Sequence, residues 1–201
     1  MTEDRPSVPL KSIALPAEHG GWGFLFEPLL LGLLVAPSAA GAWLSLGALG
    51  VFLARHPLKL LLNDLLRRRR SPRLTPALRF AGAYSLLAAA GFGFAWIAVG
   101  MPVFLPLLAA LPLALGQLHF DARNRGRGLV PQSLGALAPG ALASAILMAG
   151  GWPLAPALLP WLLLALKSAA SVLYVRARLR LDRGSAADRL SAWIGHGVAV
   201  S

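Results

Sequence analysis

The stretch PALRFAGAYSLLAAAGFGFAWIAV, residues Pro76–Val99, decides the fold class. Its only charged residue is Arg79, close to its start. A helix rising about 1.5 Å per residue needs roughly 20 apolar residues to cross a bilayer, and this stretch is longer than that. In hydrocarbon every backbone polar group must be bonded within the protein, so only helices and closed barrels span. A run this long, rich in Leu and Ala, lacks the alternation of a barrel strand. The segment reads as a membrane-spanning helix.

Working outward, similar windows cover Gly21–Pro37, Ala39–Ala54, Met101–Leu118, Leu129–Met148 and Trp152–Val175. The windows starting at Gly21, Ala39 and Met101 are near or below the spanning minimum. The Ala39 window lengthens through Leu58–Leu62 if its helix continues past Pro57. The expected architecture is an all-α integral membrane protein of about six transmembrane helices in three hairpins, one transmembrane domain over residues 1–201. Composition agrees. The chain is 57% hydrophobic and 13% charged, against about 45–50% and about 25% in soluble chains.

The connections alternate in character. Pro37–Gly41, Gly100–Pro102 and Gly150–Pro153 are short, uncharged and read as tight helical turns. All 19 Lys and Arg residues lie outside them. The segment Arg55–Arg79 holds eight bases, including the run Arg67–Arg70. Others sit at Arg5 and Lys11, at Arg123, Arg125 and Arg127, and from Lys167 into the tail. Positive loops stay inside. The expectation is therefore a cytoplasmic N-terminal segment 1–20, a basic cytoplasmic loop 55–75 and a cytoplasmic tail 176–201. The +11 net charge is a topology signal on this reading and not a nucleic-acid footprint. The opening segment carries Glu3 and Asp4 and is broken by Pro6, Pro9 and Pro16, unlike a cleavable signal peptide. The first apolar run begins at Trp22 and reads as a retained anchor. Leu190–Ser201 is too short to span and suits the membrane surface.

No cysteine is present, which removes disulfides, thiolate metal sites and a Cys nucleophile. There is no nucleophile elbow, no Walker loop and no His pair at helical metal spacing. No cofactor or metal is expected from the residues.

Polar residues cluster at one level. His19, His56 and His119 sit at the cytoplasmic ends of expected helices, with Asn63, Asp64, Asp121, Asn124, Gln132 and Tyr174 nearby in depth. Such clustering suits a cytoplasm-facing pocket between helices. Membrane–water boundaries also collect polar residues without any site. Candidate ligand-binding residues are Glu18, His19, Trp22, His56, Lys59, Asn63, Asp64, Arg123 and Asn124. Catalytic residues are not identifiable.

Glu27 and Lys167 are a separate signal. Glu27 lies eight residues after His19, about 12 Å into the membrane, and Lys167 lies nine before Arg176, about 13 Å from the same side. A lone charge at such depth costs at least about 2.5–3.5 kcal/mol, so such charges face the bundle and pair. The two are expected to point inward and interact.

The motif Pro16-Ala17-Glu18-His19-Gly20-Gly21-Trp22, followed by Glu27-Pro28, resembles the opening signature of the YwiC-like family of bacterial membrane proteins. Ala54-Arg55-His56-Pro57-Leu58-Lys59-Leu60 resembles the exit of that family's second helix. The resemblance runs over most of the chain. It implies a location in the bacterial inner membrane and carries no reaction with it. More distantly, Asn63-Asp64 resembles the start of the Asn-Asp-x-x-Asp-x-x-x-Asp motif with which UbiA-type prenyltransferases hold Mg²⁺ and a prenyl diphosphate. Phe120–Arg125 and Leu134–Ala141 resemble the fourth-helix exit and fifth-helix start of those enzymes. The next two acid positions are Arg67 and Ser71, and only Asp182 and Asp188 are available for the second acidic motif. Mg²⁺ needs carboxylates, whereas the Arg67–Arg70 run supplies phosphate donors.

The expectation is accordingly a membrane protein that binds an anionic lipid or isoprenoid head group in a cytoplasm-facing pocket, with membrane lipid as its partner. The alternatives are a small transporter or accessory subunit using Glu27 and Lys167, and a divergent UbiA-like transferase. Only the transferase would need Mg²⁺.

Overall fold

The computed structural model describes residues 10–15, 19–66, 72–123 and 128–182. Helix α1 is Leu10–Ala14, α2 is His19–Val35, α3 is Ala39–Leu66 and α4 is Leu74–Val99. A 3-10 turn, Met101–Phe104, leads into α5, Leu105–Ala122. Helix α6, Leu129–Leu137, is separated from α7, Ala141–Ala149, by a 3-10 turn at Ala138–Gly140. A short α8, Leu154–Ala157, precedes α9, Leu159–Asp182. Among the described residues there is no strand.

Five segments are long and apolar enough to cross a membrane: Ala39–Leu66, Leu74–Val99, Met101–Phe120, Val130–Ala149 and Leu154–Arg178. The window expected first is a shorter apolar helix, Gly21–Val35. The Ala39 window does pass Pro57. Pro57 removes one helical N–H, but it is buried, and the helix continues to Leu66 on its packed side. Large apolar side chains are exposed all round, among them Leu34, Leu86, Ile97 and Leu163. Hydrocarbon covers such a surface where water would not, and the protein is a multi-pass membrane protein.

Local chemistry sets the turns. The Ser38 hydroxyl accepts the Gly41 backbone N–H at 3.0 Å and caps the start of α3. Gly100 takes φ +79° and Gly151 φ +92°, conformations that suit a residue without Cβ. Pro139 lacks an N–H, so the helix running from Leu129 cannot stay regular there, and the 3-10 turn results.

Helix α7 is the centre of the bundle. Ala141, Ala143, Ala145, Ile146 and Leu147 have no exposed surface, and α7 touches α2, α3, α5 and α9. The main core joins Leu25 and Leu29 of α2, Leu44 and Ala48 of α3, Ala95 of α4 and Ile146 of α7. The most extensive helix pair is α3 with α4. Its backbones almost touch: a Cβ added to Gly50 would lie 2.5 Å from the Ala88 backbone nitrogen. A Cβ on Gly91 would collide with the Gly47 backbone. Small residues permit this approach, which is how helices associate in a solvent as apolar as themselves.

Each hairpin returns the chain to the same end of the bundle. The end of α3, the starts of α2, α4 and α6 and the ends of α5 and α9 lie there. Arg55, Lys59, Arg73, Arg79, Arg123, Arg176 and Arg178 are at or near those helix ends, which makes this the basic end of the bundle.

Candidate functional site

Helix α3 delivers His56, Lys59, Asn63 and Asp64 to the basic end within its last turns. Lys59 and Asn63 are exposed. The other two are tied into the fold. His56 Nε2 donates to the Ser12 carbonyl at 2.9 Å and fastens α1 over α3. Below that bond Ile13, 2% exposed, packs with Leu61, Ala77 and Ala81.

Asp64 is only 3% exposed. Arg73 holds both its oxygens, with Nε donating to Oδ2 at 2.9 Å and a terminal nitrogen to Oδ1 at 2.7 Å. The hydrogen bond to Asp64 raises the Arg73 pKa above its ordinary value, slight burial opposes this, and the attraction between the charges adds to it. The forked pair clamps the end of α3 to the start of α4. Among the described residues no group of three or more His, Asp or Glu could hold a metal ion.

Trp22 sits half-buried at the matching level of α2. Its ring meets Phe52 edge-on at 4.9 Å and stacks on Phe26 at 5.7 Å. Phe52 is one turn before His56, so Trp22 and the α3 cluster share a wall. Arg123 is exposed at the end of α5, which packs mainly on α6 and α7, so it stands on a different wall of the same end. Helix α2 begins at His19. Its side chain lies outside the described residues, as do Glu18, Asn124, the Arg67–Arg70 run, Ser71, Asp188 and Leu190–Ser201.

The second feature lies deeper. Lys167 Nζ of α9 donates to Glu27 Oε1 of α2. Gly32 packs on Ile146 and Gly140 on Trp161, which sets the pair near the level of the break between α6 and α7. There Trp161 Nε1 donates to the Leu137 carbonyl at 3.0 Å. The inward orientation expected for both charges is not found: the Lys167 side chain is 59% exposed and that of Glu27 38%. The reason is rotational. Leu164 and Ser168 are the buried residues of α9 at this level, and Lys167 stands on the shoulder between them and the exposed Leu159, Leu166 and Leu173.

Sequence reasoning missed Arg73 and Ser12. The signal for Arg73 was an opposite charge on the far side of a short loop from Asp64. For Ser12 there was none, since a main-chain carbonyl did the bonding.

No curated protein and no solved structure matches the chain. Residues 15–147 match the sequence model of the YwiC-like protein family. That span contains α2, Glu27, the Asp64–Arg73 clamp and the α6–α7 break, and it ends before Lys167. With about two thirds of its length matched, the chain belongs to the YwiC-like family.

Proposed function

We propose that this multi-pass protein lies in the bacterial inner membrane, crosses it six times with both termini cytoplasmic, and binds the anionic head group of a lipid or isoprenoid at its basic end. One observation carries the reading: among side chains described at that end, the accessible charge is positive. Lys11, Lys59, Arg79, Arg123 and Arg178 are exposed, whereas the Asp64 carboxylate is buried and taken by Arg73. Each such cation near an anionic surface contributes roughly 1 kcal/mol, screened by salt.

The test is native mass spectrometry of protein released from nanodiscs of mixed phosphatidylglycerol and phosphatidylcholine. Phosphatidylglycerol should be retained in preference. The double variant Lys59→Gln, Arg123→Gln should lower that retention by up to roughly thirtyfold at low salt, following the loss of two such contributions. Equal retention of both lipids would overturn the reading. The transporter or accessory alternative draws on Glu27 and Lys167, and proton-coupled flux in liposomes would favour it.

A further inference from the structure

Helices α5 and α9 both pack against α6 and hardly touch one another. Two helices on either side of a third leave a furrow above it. Along this furrow each wall is irregular. Pro112 lies inside α5, Pro139 interrupts the helix just after Leu137, and the α8–α9 joint at Leu158 is followed by Pro160. Proline removes a helical hydrogen bond and disturbs the helix surface, so neighbouring ridges interlock less closely there. A cavity of about 440 Å³ opens at this place.

Leu113 of α5, Leu137 of α6 and Trp161, Leu162 and Ala165 of α9 line the cavity, with Leu158 and Leu159 at the α8–α9 joint. All fall within the membrane-spanning segments Met101–Phe120, Val130–Ala149 and Leu154–Arg178. Leu159 and Leu162 are each 57% exposed, so the cavity opens sideways out of the bundle. Its inner wall is fixed. Trp161 Nε1 donates to the Leu137 carbonyl at 3.0 Å. The indole also fits against Gly140, where an added Cβ would lie 2.8 Å from Trp161 Cδ1. Among the lining side chains only the indole carries a donor, and that donor is engaged by the backbone.

The surroundings decide what fills an apolar recess at this depth. Water would find no lining side chain to bond. Left empty, the lining would lose dispersion contacts on its open side. No charged or polar side chain is present in the lining to orient a protein partner, and the volume lies in the range of small-ligand pockets, about 300–1,000 Å³. We propose that this recess is a binding site for one hydrocarbon chain of a membrane amphiphile, which lies against the Trp161 indole while its head stays at the membrane surface. The site goes beyond the head-group reading and is independent of the charge on that head. Bulk lipid is as apolar as the recess, so selection comes from packing. The pinned indole loses little freedom when a chain arrives, which favours binding there.

The probe is phosphatidylcholine carrying a diazirine midway along one acyl chain, placed with the protein in nanodiscs. Its head is zwitterionic, so the test does not draw on the basic end. After irradiation, carbene insertion is mapped by peptide mass spectrometry. Insertion at Leu113 and at residues 158–165 should exceed that at the exposed Leu86 and Ile97 of α4 by about fivefold per residue, equivalent to about 1 kcal/mol. Ala165→Phe should fill the recess and bring insertion at Leu162 down to the α4 level. Leu113→Phe fills it from the opposite wall and serves if Ala165→Phe does not fold. Equal insertion over the recess and α4 would overturn the site and leave ordinary boundary lipid. Insertion that neither filling variant lowers would overturn it as well. So would insertion at the recess below the α4 level that rises when each nanodisc holds a single copy, since a second copy of the chain would then be the occupant.

Discussion

Arg73 holds both carboxylate oxygens of Asp64, at 2.9 and 2.7 Å, from a position that is itself 38% exposed. The unequal exposure makes the pair asymmetric. Arg73→Gln leaves a carboxylate at 3% exposure without this guanidinium, a loss that solvent on the open Arg73 side keeps below that of a fully buried pair. Asp64→Asn leaves a cation that water can reach, and the amide oxygen still accepts. The prediction is that Arg73→Gln lowers the melting temperature in detergent clearly more than Asp64→Asn. Equal effects would show that the carboxylate is not effectively buried. The raised Arg73 pKa contributes stability that is present below the ordinary guanidinium range and lost only as pH rises through the higher folded value. From this group the melting temperature should be flat between about pH 6 and 9.

The α3–α4 contact makes a second prediction. A methyl at Gly50 must displace the Ala88 backbone, and one at Gly91 the Gly47 backbone. Backbone cannot yield as a flexible side chain does, so Gly50→Ala and Gly91→Ala should each destabilise by about 1–3 kcal/mol through overpacking. Gly82, on the same helix, has open space around an added Cβ. Gly82→Ala should be neutral or stabilise by up to about 1 kcal/mol, the helix-propensity gain. Melting curves of the three variants settle it, and a harmful Gly82→Ala would remove the argument.

The long apolar runs were legible because length and hydropathy are properties of the chain alone. The window Pro76–Val99 becomes α4, Leu74–Val99, and Met101–Leu118 becomes the 3-10 turn and α5. The interruption within Leu129–Met148 was not read, although Pro139 is the cause and was visible. Its carbonyl partner for Trp161 could not be found, because main-chain acceptors have no sequence identity. Depth arithmetic set Glu27 and Lys167 at one level, and the structure joins them. Their exposure was not legible: it depends on which shoulder of α9 meets α2, and packing decides that. Asp64 shows the opposite failure. It resembled a ligand in a motif, while Arg73, nine residues on, holds its carboxylate.

Topology supplies the third prediction. The turns near Ser38, Gly100 and Gly151 are uncharged and lie at the end away from the bases. Reporter fusions at those three residues should report the outer side, and fusions at Pro72 and Gly128 the inner side. Helix α2 is the short member of the set, so the Ser38 fusion is the sharpest test of a sixth crossing. An inward signal at Gly100 would defeat the orientation as a whole.

The last prediction concerns the pair Glu27–Lys167 itself. Attraction between opposite charges is strong in low dielectric, yet desolvation of each ion nearly cancels it. The pair lies on a partly open shoulder, which reduces both terms. Removing one partner still leaves the other deep beside hydrocarbon with no counter-charge, at a cost of at least about 2.5 kcal/mol on insertion scales. Removing both leaves no charge there to desolvate. Glu27→Gln and Lys167→Met should therefore each reduce membrane yield and melting temperature more than the double variant does. Strict additivity of the single effects in a double-mutant cycle would show that the two side chains act independently, and the contact between α2 and α9 would then have no energetic role.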